Sequence, residues 1–330
     1  MKRMVVDTPN MLFRVAAAHG RYNNDGSAEE KAGLALHISL MTLHKYYKQY
    51  KPDQLAVVFE GKENWRKDYT KSNLCVSKKI YKANRVKDPS MIPFFELIAS
   101  FEQLVREHTS LVCLSANEVE GDDMIAGYVQ RFAPIGDDIT IISGDKDFKQ
   151  LLKYPNVKLI NPDDGKPREC EDVDFFLFEK CMRGDAGDNV ASAYPRVRKT
   201  RLEKAFNDEY ELTQLMNEEF EFNDPDTGAH IKYQVADLFA ENNLLMNLEC
   251  QPNNIREIIE KTLDHELVNH GHFSFFHLQK FCGKYGLKQI AENMTPFVDM
   301  FSITGRLSPV REQTEAIREV KKQENSALSF

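Results

Sequence analysis

The alternation of apolar runs and polar breaks in the first half of the chain predicts strands and helices in turn. RMVVD is a short apolar run ending on Asp7. From Ala28 to Tyr50, the positions Leu34, Leu36, Ile38, Met41, Leu43 and Tyr47 fit a long helix with one buried side. QLAVVFE, from Gln54 to Glu60, reads as a second buried strand, and helices follow over Met91–His108 and Asp122–Phe132. Between and after them, SLVCLS, DITIIS and NVKLI read as further strands. Strands alternating with helices predict an α/β fold, a mostly parallel sheet covered on both faces. The stretch from Gly61 to Ser90 interrupts this pattern without a clean period and reads as a long insertion over one edge of the sheet. Beyond Asp172 the signals turn helical, over Asp172–Arg183, Lys199–Phe206, Gln234–Asn247, Asn254–His265 and His277–Tyr285. The expected organisation is therefore an α/β domain over residues 1–171, with its insertion at about 61–90, then a helical region over 172–305. Residues 306–330 are polar until the last few and are expected to form a mobile tail.

A chain of 330 residues with 42% apolar positions has material for one large domain or two modest ones. No apolar stretch reaches the roughly 20 residues that a membrane helix needs, so no membrane partner is expected. MKRMVVD runs straight into a strand and does not read as a signal peptide. Six scattered cysteines without metal-knuckle spacing fit reduced thiols in a cytoplasm. Histidines 265, 270, 272 and 277 are interleaved with Phe273, Phe275 and Phe276, which reads as packing or surface rather than a metal site.

A net charge of −8 conceals a segregated distribution. Between Lys62 and Lys87, nine lysines and arginines face only Glu63 and Asp68. YPRVRKTRLEK, from Tyr194 to Lys204, holds five more against Glu203. The acids gather elsewhere. Asp7, Glu60 and Asp145 each follow a predicted strand, where ligands sit in an open parallel sheet. NEVEGDDMIA adds Glu120, Asp122 and Asp123, SGDKDF adds Asp147, and RGDAGDNVAS adds Asp185 and Asp188. A lone Asp after a strand is most often a turn or cap residue. So many in order would repel one another unless hard divalent cations neutralised them. Two such ions can activate a water and stabilise the leaving oxygen of a phosphodiester.

The ordered set of Asp7, VVFEG followed by Trp-Arg and YKANR, EVEGDDMIA, IISGDKDF and GDAGDNVAS resembles the flap-endonuclease and 5′-3′ exonuclease superfamily. VRKTRLEKAF and FAENNLLMNLECQPNNIREII extend the likeness, to the T4-like phage ribonuclease H branch. The resemblance implies a PIN-like α/β nuclease domain, a basic helical arch made by the insertion, and a helical C-terminal region with a helix-hairpin-helix-like DNA-binding element. It implies two Mg²⁺ ions, with Mn²⁺ able to substitute. Asp7, Glu60, Glu120, Asp122 and Asp145 match the first metal site or its water shell. Asp147, Asp185 and Asp188 match the second, and Asp123 a supporting position between them. Lys82 and Arg85 match catalytic basic residues over the scissile phosphate, and Tyr81 the aromatic position there. Arg66, Lys67, Lys78 and Lys79 in the insertion, with Arg196, Arg198, Lys199 and Arg201 beyond it, are the expected nucleic-acid contacts.

The implied activity is Mg²⁺-dependent 5′-3′ exonuclease and flap endonuclease action on DNA or RNA–DNA with a free 5′ end, flap or fork, removing RNA primers during phage replication. The implied setting is the cytoplasm of an infected bacterium. A sliding clamp reached through the terminal QENSALSF and a single-strand-binding protein are the implied partners. The chain departs from the family pattern twice. Glu60 stands where the family has Asp, and VASAYPRVRKTR lacks the glycine-rich hairpin that holds a monovalent cation in many relatives. A PIN-type endoribonuclease and a non-catalytic binder of branched DNA are the rival readings.

Overall fold

The computed structural model describes residues 1–20, 26–85, 88–223, 228 and 230–303. The expected tail and its terminal docking peptide lie outside the described residues. Six strands form one sheet in the order Val112–Leu114, Gln54–Val58, Lys2–Asp7, Asp138–Ile142, Val157–Ile160 and Pro167–Arg168. β1 (Lys2–Asp7) lies at its centre, parallel to β2 (Gln54–Val58) on one side. α1 (Thr8–Gly20) and α2 (Ala28–Tyr50) intervene between those two strands. Ser27 and Glu30 close a reciprocal capping box at the start of α2, which fixes where that helix begins. The insertion contributes α3 (Trp65–Lys71), and α4 (Ile92–His108) leads into β3 (Val112–Leu114). α5 (Gly121–Phe132) then crosses to β4 (Asp138–Ile142), which joins β1 on its other side, followed by β5 (Val157–Ile160). β6 (Pro167–Arg168) adds a short antiparallel edge.

Because side chains alternate across a strand, the sheet feeds two cores. Met4, Val6, Leu55 and Val57 pack with α2 and α4, whereas Val5, Ala56, Val58 and Ile141 pack with α5. Both faces are apolar, as an internal parallel sheet requires.

The remaining elements divide in two. α6 (Val173–Arg183), α7 (Lys199–Asn207), α8 (Glu209–Met216) and α9 (Val235–Met246) surround a separate core. Phe178, Leu202, Leu215 and Leu238 lie in it, together with Tyr233 of the hairpin β7 (Glu219–Asn223) and β8 (His230–Gln234). α10 (Asn253–Glu266) returns to the sheet, where Ile255, Ile259 and Leu263 pack with α5. α11 (Phe275–Lys284), α12 (Lys288–Glu292) and α13 (Thr295–Phe301) close the opposite face with Leu278, Ile290 and Phe297. His277 stacks on His108 at 3.6 Å between ring centres, a packing role. Among the described residues no helix is long and apolar enough to cross a membrane.

The expected elements are present with ends moved by a few residues. The reading omitted α1, β6, α8, α12, α13 and the hairpin, and within the arch helix is confined, among the described residues, to α3 and the turn Pro89–Met91.

The close approach of α2 to the loop after α11 yields a test. A Cβ on Gly33 would lie 2.4 Å from the backbone oxygen of Tyr285. Helix propensity alone favours Gly33→Ala by about 1 kcal/mol. The backbone clash costs about 1–3 kcal/mol, so the variant is expected to be less stable than the parent by urea denaturation.

Candidate active site

Register brings the strand ends together. Asp7 closes β1 opposite Val58 of β2, and Val6 lies opposite Ile142 of β4. Glu60 and Asp145 therefore emerge beside Asp7 at the carboxyl edge of the sheet. Asp122 joins them from the first turn of α5, and Glu120 caps that helix. Gly184, at φ 67°, turns the chain out of α6 toward Asp185; a Cβ there would strike Ala191 O at 2.4 Å. The result is a cleft of about 1250 Å³ lined by every carboxylate expected at the site except Asp123.

The carboxylates fall into two electrostatic groups. Asp7, Glu60, Asp122 and Asp145 have no ion pair with a cation among the described residues. Asp7 accepts from Ser143 Oγ at 2.8 Å and Asn10 N at 3.1 Å. Glu60 Oε2 accepts Gly121 N at 2.9 Å, and Asp145 Oδ1 accepts Asp147 N at 2.8 Å. Burial pushes Asp7 up to about 7 against its Ser143 bond, with help from the Glu60 charge. Burial also raises Glu60, with Glu120 adding to it, and raises Asp122 well above the carboxylate range, with Asp145, Asp7 and Glu60 adding to it.

The second group is held by the protein's own cations. Lys180 Nζ donates to Asp147 at 2.6 Å and Asp185 at 3.0 Å. Arg85 donates to Asp188 at 2.6 Å, and Lys82 pairs with Glu120 and lies 3.8 Å from Asp188. Burial opposes a charged Lys82, but Glu120 and Asp188 hold its ammonium above its ordinary pKa.

Asp123, Arg66 and Tyr81 require correction. Asp123 is 0% exposed and faces away from the cleft. It accepts Arg66 at 2.6 and 2.8 Å, the Trp65 indole at 2.9 Å and Gln251 at 3.2 Å. Burial works against its charge, but Arg66 and these bonds hold it below the usual carboxylate range. Arg66 is buried, not a nucleic-acid contact. It also binds Glu120 at 2.8 Å and Leu245 O at 2.6 Å, with its guanidinium 4.4 Å over the Trp65 ring. Tyr81 is 5% exposed and donates to Asp188 at 2.9 Å and Glu120 at 3.2 Å, so its ring cannot stack on a base.

These bonds suspend the insertion across the cleft. Lys82 N donates to Asp188 O at 2.8 Å, and Asn189 Nδ2 to Ile80 O at 2.9 Å. Farther out, the buried carboxylate of Glu241 on α9 accepts the amides of Val76 and Ser77. Lys67, Lys82 and Arg85 line the cleft. Lys78 is exposed and Lys79 half-buried outside it, and Arg196, Arg198 and Lys199 are exposed along the approach to α7. Arg201 is engaged by Glu218 and Tyr194. Sequence reading missed Lys180, Glu241 and the cleft-lining Arg14, Lys146 and Arg183.

The donor set of the first group is all carboxylate, without nitrogen or sulfur, and suits a hard divalent cation. Among the described residues no three acidic, His or Cys side chains converge closely enough to hold an ion as they stand.

Two outcomes follow. Arg66→Ala leaves Asp123 buried without its partner and is expected to cost about 3–5 kcal/mol in chemical denaturation. Asp7 ionises near 3.8 when exposed and near 7 in the fold. Its stabilising protonated form is thus fully kept below about pH 4 and lost as pH rises through about 7. In metal-free protein, Asp7→Asn is expected to be nearly neutral at pH 4 and stabilising at pH 8, by about 4 kcal/mol. An equal effect at both pH values would refute the assignment.

Residues 2–177 match the family described as 5′-3′ exonuclease, N-terminal resolvase-like domain. The chain is 34% identical over 151 residues to DNA polymerase I of Rhizobium leguminosarum, covering 42% of this chain and 13% of that protein. It is 28% identical over 178 residues to ribonuclease H of Enterobacteria phage T4, covering 49% of this chain and 54% of that protein. The match thus spans about half the phage relative and a small part of the polymerase. The fold is similar to that of a bacteriophage T5 flap endonuclease solved as a pseudo-enzyme–product complex with DNA and metal ions. That similarity has a TM-score of 0.58 at 18% identity, over 82% of this chain and 99% of that one. A T5 structure co-crystallised with metal ions aligns with a TM-score of 0.55 at 16% identity, with the same coverage. The phage relative agrees with the resemblance read from the motifs, and by its matched residues the chain belongs to the 5′-3′ exonuclease family, through that family's N-terminal resolvase-like domain.

Proposed function

We propose that this chain is a Mg²⁺-dependent 5′-3′ exonuclease and flap endonuclease acting on DNA or RNA–DNA with a free 5′ end, and that it removes RNA primers in phage replication inside the infected host. The supporting observation is the juxtaposition in one cleft of four carboxylates, Asp7 buried among them, that have no ion-pair partner among the described residues, with the basic insertion suspended over them. Divalent ions bound there would supply an activated water and neutralise charge on the phosphodiester. Asp7, Glu60, Asp122 and Asp145 would hold the first, and Asp147, Asp185 and Asp188 the second. The chain's own groups do the rest. Lys82 and Arg85 present two cations at the cleft to the phosphate. Lys67 extends that charge outward, and Arg196, Arg198 and Lys199 offer contacts for the duplex backbone. Clamp and single-strand-binding protein contacts belong to the same proposal.

Glu60 bears on the rival reading of a non-catalytic binder. Its extra methylene carries Oε2 to the Gly121 amide, so the longer side chain has a place in this site. Glu60→Asp is expected to lose that bond and lower Mg²⁺-dependent cleavage by about fivefold to tenfold. A large gain would instead favour a weakened parent.

The direct test is cleavage of a 5′-labelled flap duplex with Mg²⁺ or EDTA by the parent and Asp147→Asn. Cleavage near the junction or release of short 5′ products, lost with EDTA and in the variant, is expected. Tight binding without cleavage under either Mg²⁺ or Mn²⁺ would replace this reading with the binder.

A further inference from the structure

Asp147 and Asp185 reach the cleft from different parts of the fold. The first begins the 3-10 turn Asp147–Lys153 after β4, and the second follows α6. One ammonium joins them. Lys180 Nζ lies 2.6 Å from Asp147 Oδ1 and 3.0 Å from Asp185 Oδ2, and its side chain is 13% exposed. The other oxygen of Asp185 takes the amides of Gly187 at 2.8 Å and Asp188 at 3.3 Å. The carboxylate is thereby oriented with Oδ2 toward Lys180. A primary amine held between two carboxylates at these distances is paired as an ammonium.

Resting on the metal-dependent reading above, we propose that Lys180 is a built-in counter-cation that divalent ions must displace to enter the Asp147–Asp185 half of the cleft. An ion bridging these two carboxylates would need the lone pairs that Lys180 now occupies. Two positive centres within about 4 Å repel strongly away from bulk water. Among the described residues no cation is ion-paired with a carboxylate of the Asp7–Glu60–Asp122–Asp145 half, and an ion there would relieve repulsion instead. The two halves therefore differ in affinity, and Lys180 sets the difference. Once displaced, the ammonium lies in a cleft that a phosphodiester would enter. Entry of the second ion and arrival of the nucleic acid then favour each other.

The test measures binding alone. Mn²⁺ is titrated into the full chain without nucleic acid, and the free ion is followed by electron paramagnetic resonance. The parent is expected to show a tighter and a weaker class. Lys180→Met should tighten the weaker class by about tenfold and leave the tighter one within about twofold, while Lys180→Arg keeps the weaker class weak. Lys180→Gln, which retains a hydrogen-bond donor without charge, should behave as Met does, and it guards against a Met variant that misfolds by circular dichroism. A weaker class that is unchanged or further weakened in both neutral variants would overturn the inference and leave the nuclease reading standing. Absence of any Mn²⁺ binding by the folded parent would overturn both.

Discussion

Like charges crowded at the end of a buried sheet set the terms for this molecule. Water stabilises carboxylates far better than a protein interior does, and each neighbour of the same sign adds to the cost of ionisation. The fold meets that cost in two ways. Around Asp147, Asp185, Asp188 and Glu120 it supplies internal cations: Lys180, Arg85, Lys82 and Arg66. Around Asp7 and Glu60 it supplies hydrogen bonds from Ser143, Asn10 and Gly121, and the pKa values of Asp7, Glu60 and Asp122 are raised. The two halves of a single cleft thus differ in how their charge is met.

The same carboxylates organise the insertion. A basic segment with little helix has no stability of its own, and this one is tied down at three places. Arg66 is locked between Asp123, Glu120 and Leu245 O, Tyr81 and Lys82 bind Asp188 and Glu120, and Glu241 holds the amides of Val76 and Ser77. The segment that would meet the nucleic acid is therefore oriented by the acids that would meet the ion. Removing a buried member of such a network leaves its partner charged and unsolvated, which is why buried pairs are costly to break.

Much of this was legible in the residues. Strand-end acids point to one edge because parallel strands share a direction, and the β1–β2 and β1–β4 registers place them there. What escaped has physical reasons. Pro9 in the first turn of α1 reads as a break, although a missing amide costs nothing at that position. The hairpin hides because Phe220, Phe222, Ile231 and Tyr233 alternate with charged or amide residues in two short runs. Arg66 and Lys67 are neighbours in a basic run, yet one is buried and the other lines the cleft. Composition cannot separate them, and only the adjacent Trp65 and the doubled acid at Asp122–Asp123 hinted at a buried partner. Lys180 meets Asp185 through the reversal at Gly184 and Asp147 across 33 positions, which spacing does not reveal.

The placement of α10–α13 bears on how the chain is made. The strands of the sheet are synthesised first, but Ile255, Ile259 and Leu263 cover one face, and Leu278, Ile290 and Phe297 the other. Between them in the sequence comes the separate core of α6–α9. A nascent chain leaving the ribosome therefore carries apolar ground bare on α5 to one side of the sheet and on α2 and α4 to the other until α10–α13 emerge. That interval is one in which a chaperone would find a client and a neighbouring chain a partner for aggregation.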